Sequence, residues 1–152
     1  MELMPFYKFF LIIIMSISFN THAWDEGFVY NGNVKIAYRD YGPSTGDPIL
    51  LVQGLGGQLI NWPDHLIDFL IENGFRPIVF DNRDTGLSSR VESDLFKEGN
   101  RARTINTTYI KYFFRIPIKP PYNLDDMAND SIAILNHLSI NKSHLLECLW
   151  AE

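Results

Sequence analysis

The sequence predicts an α/β fold in which a hairpin is followed by parallel strands with helices between them. Two observations carry this. Short continuous apolar runs, "PILLV", "RPIVF" and "SHLL", recur along the body. Between them lie longer stretches with helical spacing and recognisable start and stop signals. Strand, helix, strand, helix, strand is the order of a doubly wound sheet, in which strands covered on both faces read as unbroken apolar runs.

Each element has a local reason. "FVYNGNVKIAYRDYG" holds two apolar runs around Asn31-Gly32, residues that tolerate positive φ, and reads as a hairpin. "PSTGD" breaks the chain before the buried strand Pro48 to Val52. Asn61 then caps a helix, with Asp64 three residues on as its partner; Trp62, Leu66, Phe69 and Leu70 form its buried stripe and Gly74 stops it. "RPIVF" is the next buried strand. A second helix starts at Asn123 with Asp126, burying Leu124, Met127, Ala128, Leu135 and Leu138, and "SHLL" begins a third buried strand.

The 152 residues carry a net charge of −5 and amount to one domain at most. That acidic balance argues against nucleic acid as a partner, since phosphate binding requires a basic face. Cys148 is the sole cysteine, so neither a disulfide framework nor a metal cluster is implied, and no cofactor is expected. Phe9 to Phe19, "FFLIIIMSISF", is an apolar core too short to span a bilayer comfortably. "THA" follows it, with small residues Thr21 and Ala23 at a cleavable position. Residues 1–23 therefore read as a signal peptide and 24–152 as the domain, giving a periplasmic or secreted product that starts at Trp24. The alternative is an uncleaved leader acting as a membrane anchor, the leader being the only membrane contact expected.

In such sheets the functional loops sit at the carboxyl ends of the strands. "VQGLGGQ", Val52 to Gln58, follows the first parallel strand, and its glycines let the backbone turn sharply and present free N–H groups, as an oxyanion site needs. A phosphate loop competes, but no Gly-Lys-Ser/Thr follows; a plain structural turn is the other alternative. "FDNRDTGLSS", Phe80 to Ser89, follows the second. Taken alone it reads as a solvated turn, in which Asp81 and Arg83 can pair to brace the loop and Gly86 supplies a conformation other residues resist.

Together these stretches, over Gly32 to Leu146, resemble the α/β-hydrolase family. "QGLGG" lies where that family has its His-Gly oxyanion loop, with Gln53 in place of the histidine. "DNRDTGLS" looks like its Asp-x-Arg-Gly-x-Gly-x-Ser loop, with Asp84 replacing the first glycine. "WPDHLIDFLIENGFRPIVFDNRDTGLS" and "YNLDDMANDSIAILNHLSINKSHLL" resemble in particular the esterases similar to aclacinomycin methylesterase. The resemblance implies the N-terminal half of the hydrolase fold, with an incomplete sheet. It also implies a lineage that hydrolyses small-molecule carboxylic esters through a Ser-His-Asp triad, using backbone amides at Leu55 and Gly56 as half of an oxyanion hole.

In the family the third parallel strand runs into a Gly-x-Ser-x-Gly nucleophile elbow, whose glycines permit a turn too close for a Cβ. Here those positions hold Glu147, Leu149 and Ala151. Leu149 has no nucleophilic oxygen, and Cys148 is one place off the apex, so no catalytic residue is assigned. The genetic code offers a reason. If one G is restored before the glutamate codon, position 147 becomes glycine, 149 can be serine and 151 is forced to glycine. The tail "ECLWAE" is thus expected to be a frameshift scar, and the chain an inactive truncated fragment lacking the acid and histidine that follow the elbow. His65 and His137, on polar helix faces, and His144, opening a strand, read as surface residues rather than a general base. An edge left open beside "SHLL" would favour aggregation.

Asn100 to Tyr122 interleaves Arg101, Arg103, Lys111, Arg115 and Lys119 with Tyr109, Tyr112, Phe113 and Phe114. The reading preferred here is an insertion that packs its aromatics on the body and solvates its charges. A membrane-surface or acidic-substrate contact is the alternative. Overall, an exported ester hydrolase lineage competes with a non-enzymatic binding module or decoy.

Overall fold

The computed structural model describes residues 23–54, 56–91, 101–117 and 120–148. The expected leader and cleavage signal, apart from Ala23, lie outside the described residues, as do Leu55, Leu149 and Ala151.

Strands β1 (Asp25–Asn31) and β2 (Val34–Asp40) form an antiparallel hairpin in which Asn31 faces Val34. Its two turn residues are therefore Gly32 and Asn33, one place later than Asn31-Gly32, and Gly32 takes the positive φ of 61°. Strand β3 (Asp47–Gln53) runs parallel to β4 (Phe75–Phe80), which is antiparallel to β2, and β5 (His144–Cys148) lies parallel to β3. The sheet order is β1-β2-β4-β3-β5.

Both faces of the sheet are covered, which is why β3 and β4 are apolar without alternation. Leu50, Ile78 and Phe80 point to one side and join Ile36, Ile134 and Ile140. Ile49, Leu51 and Val79 point to the other and join Leu59, Trp62, Ile67 and Leu70. Helix α1 (Asp64–Glu72) covers the second face and helix α3 (Leu124–His137) the first, with helix α2 (Arg101–Phe113) between them in sequence.

Helix α1 does not begin where its sequence announced. Asn61 spends its side chain on a 3-10 turn, Leu59–Asn61, accepting the Gln58 amide at 2.7 Å. The helix starts two residues later, behind Pro63, whose missing N–H is harmless at a helix start. The later start moves the buried stripe to Ile67 and Leu70, flanked by Leu66 and Ile71, and leaves Phe69 exposed. Trp62 is buried as expected, ahead of the helix, and Gly74 ends the helix at φ 85°.

Helix α3 does start as its sequence announced. Asn123 and Asp126 exchange side-chain-to-backbone hydrogen bonds of 2.8 and 2.9 Å, a complete capping box. Its stripe is centred on Asp130 and Ile134, with Met127, Leu135 and Leu138 half-buried, whereas Leu124 and Ala128 face solvent. Among the described strands β5 is an edge of the sheet, and Leu145 on it is 66% exposed.

Candidate functional site

The carboxyl ends of β3, β4 and β5 converge, and one carboxylate organises the loops there. Asp81, the first residue after β4, is 1% exposed. Its Oδ1 accepts the Leu59 amide at 2.7 Å and its Oδ2 accepts the Leu87 amide at 2.8 Å. A single side chain thus ties the loop after β3 to the turn after β4. The turn is sewn to β2 as well. Ser88 Oγ accepts the Ala37 amide and donates to the Asp81 carbonyl; Ser89 Oγ accepts the Lys35 amide, and the Ser89 amide donates to the Lys35 carbonyl.

Gly86 is required by this arrangement. It sits at φ 52°, and a Cβ there would lie 2.1 Å from Asp81 Oδ2. Asp84, which stands where the hydrolase pattern has glycine, also takes a positive φ of 68°. Its carboxylate compensates by accepting the Val91 amide at 2.6 Å, the local bonding that lets Asp adopt a left-handed conformation.

Asp81 and Arg83 do not pair with each other. Asp81 is occupied by backbone amides, and Arg83 reaches 47 residues along the chain to Asp130, at 2.7 Å through Nε and 2.8 Å through Nη2. Arg83 also donates to the Asp126 carbonyl at 3.0 Å, and Asn31 donates to Asp130 Oδ1 at 2.8 Å. The Tyr122 ring stacks against the guanidinium, 5.0 Å away. Hydrogen bonding to Asp130 raises the Arg83 pKa, so the pair stays charged. The phenol of Tyr122 is pushed up to about 12 by burial and by Asp84. The loop is therefore a buried brace locking α3 and β1 to the sheet, not a solvated turn. Asp130 was the missed partner; its one signal in the sequence is an acid four residues before Ile134 on the buried stripe of a helix.

The glycine loop after β3 keeps its expected shape where it is described. Gly57 donates to the Gly54 carbonyl at 3.0 Å, and Gly56 turns at φ 78°. Among the described residues the Gly56 amide has no hydrogen-bond acceptor. Gln53 is buried under this turn, so close that a Cβ on Gly57 would meet its Oε1 at 2.7 Å, and Asn82 donates to its carbonyl at 3.0 Å. Leu55, the other residue assigned to an oxyanion hole, lies outside the described residues.

Strand β5 continues through Glu147 to Cys148, and its register sets Cys148 beside Gln53. Cys148 is thus the last described residue beside the glycine loop; Leu149 and Ala151 lie outside the described residues. Glu147 is exposed and paired along the strand with Val52. His65, His137 and His144 are all exposed and none adjoins this loop in the hydrogen bonds of the described residues; His137 and His144 rest edge-on against Tyr38 and Phe75. Among the described residues no group of His, Cys, Asp or Glu is placed to hold a metal ion.

A hairpin leading into parallel strands, a glycine loop after the first of them and an Asp-braced turn after the second make this the fold of the α/β-hydrolase family. Known proteins agree. Rhodomycin D methylesterase DnrP of Streptomyces peucetius is 25% identical over 118 residues, 78% of this chain and 32% of the relative. Among solved structures, an epoxide hydrolase from Vigna radiata superposes with a TM-score of 0.60 at 18% identity, over 86% of this chain and 32% of that one. The proline iminopeptidase-related protein of Thermus thermophilus superposes with a TM-score of 0.59 at 22% identity, over 82% and 36%. The chain thus spans about a third of the length of each of these three. No protein-family model matches the sequence.

Proposed function

We propose that the chain comes from an exported carboxylic-ester hydrolase lineage acting on small-molecule esters, and that as it stands it has no esterase activity. The observation that carries the reading is the Asp81 carboxylate holding the glycine loop after β3 beside the end of β5. In the lineage that geometry would place an oxyanion donor next to a nucleophile at the first turn after β5. The methylesterase relative supports an ester as the substrate. Inactivity is inferred from the sequence, where Leu149, whose side chain offers no nucleophile, stands at the elbow's serine position. The frameshift reading of residues 147–152 explains why the loops are kept while the elbow is not. Assay of the purified chain with p-nitrophenyl esters should give background rates. Turnover that Cys148→Ala abolishes would show instead that the cysteine is the nucleophile.

A non-enzymatic binding role is the second reading, favoured by the exposed aromatic face of α2. Monomeric, soluble protein that captures a ligand without turnover would support it.

A further inference from the structure

We propose that helix α2 is a docking element for an anionic lipid surface. Tyr109, Tyr112, Phe113 and Phe114 do not pack on the body, contrary to the sequence expectation, and of the aromatics in Asn100 to Tyr122 Tyr122 alone does, on Arg83. Ile105, Tyr109, Tyr112 and Phe113 follow the spacing i, i+4, i+7, i+8 and so share one face of the helix. They are 51%, 71%, 78% and 81% exposed. Four large apolar side chains turned to solvent on one helix face mark an interaction surface rather than scattered surface residues.

Charge selects the occupant. Of the thirteen basic and eighteen acidic residues in the chain, five basic and no acidic ones fall between Gly99 and Leu124, which leaves the remainder at −10. The segment is a basic island on an acidic protein, and a neutral or cationic partner gains nothing from it. Lys111 lies on the helix away from the apolar face and Arg115 just beyond its end, both exposed. An apolar face of Ile, Tyr and Phe backed by Lys and Arg is the composition of a helix that lies in a membrane interface. There the rings enter the headgroup boundary while the long basic side chains reach phosphates. A second copy of the chain fits less well, because it would bring two basic islands together. The inference does not depend on ester hydrolysis.

The test uses the full chain and sedimentation with vesicles of phosphatidylcholine, with or without phosphatidylglycerol as the anionic lipid. Phosphatidylglycerol should raise binding above the level on phosphatidylcholine alone, and that increment should weaken as salt is raised. It should fall by about thirtyfold or more in Lys111→Glu/Arg115→Glu. Tyr112→Ser/Phe113→Ser should lose a comparable amount, because these exposed rings carry the apolar contact. The apolar leader is common to all variants, and its insertion needs neither anionic lipid nor low salt. Equal binding to both vesicle types would overturn the proposal. So would variants that bind like the parent, or a lipid-free dimer that Tyr112→Ser/Phe113→Ser converts to monomer. If a variant misfolds by circular dichroism, the lipid and salt dependence of the unaltered chain decides the question.

Discussion

The Arg83 guanidinium forks onto the Asp130 carboxylate at 2.7 and 2.8 Å, with both side chains at least nine-tenths buried. The pair links the turn after β4 to the middle of α3, and Asn31 adds a donor from the hairpin. Removing one member strands a buried charge, which typically costs about 3–5 kcal/mol. Arg83→Ala and Asp130→Ala should each lower stability by roughly that amount in urea titrations. Arg83→Met/Asp130→Leu should lose much less, since no unpaired charge remains. Single variants within about 1 kcal/mol of the parent would show that the pair is not a brace.

Glycine at position 86 and aspartate at 84 face the same backbone demand by different means. Gly86→Ala drives a Cβ against Asp81 Oδ2 at a positive φ and should cost about 3 kcal/mol or prevent folding. At position 84 the informative comparison is between two replacements that both lose the carboxylate. Asp84→Gly should be more stable than Asp84→Ala by about 1 kcal/mol, because only alanine carries a Cβ at φ 68°. Equal stabilities would mean that the turn relaxes out of the left-handed region.

Tyr122 gives a pH signature. Its folded pKa is raised from the ordinary 10.0 to about 12, first by burial and then by its hydrogen bond to Asp84. The folded state therefore holds the phenolic proton longer than the unfolded chain does. Stability from this group is intact below pH 10 and is lost as pH rises towards about 12. Absorbance titration should show a late tyrosine component that is lost in Tyr122→Phe, beside that of Tyr38, which burial also raises; that variant should lose less stability across the same window.

Much of this architecture was legible because its causes are local. The Asn123 and Asp126 box lies within four residues and was read correctly, as were the apolar runs of β3 and β4. Asn61 misled because its carboxamide serves equally well to close a 3-10 turn, leaving Pro63 to set the start of α1. Sequence proximity points Arg83 to Asp81, whereas its partner Asp130 is distant in sequence and meets it only once α3 crosses the sheet. The exposure of α2 had no local signal, since a buried and an interfacial amphipathic helix share one pattern.

Export is open to direct measurement. If "FFLIIIMSISF" and "THA" act as a leader, N-terminal sequencing of protein recovered outside the cytoplasm should begin at Trp24. Material there that still carries the apolar segment would instead identify a membrane anchor.

The most direct test of the central claim is to restore one G before codon 147 and assay the product beside the unaltered chain for p-nitrophenyl ester hydrolysis. The chain carrying "ECLWAE" should give background rates. The repaired chain should show turnover that disappears when the serine placed at position 149 is changed to alanine. It should also be more soluble if further strands pair with β5, an edge among the described strands. A repaired frame that yields neither further apolar strands nor activity, or an unaltered chain that already turns over ester, would contradict that claim.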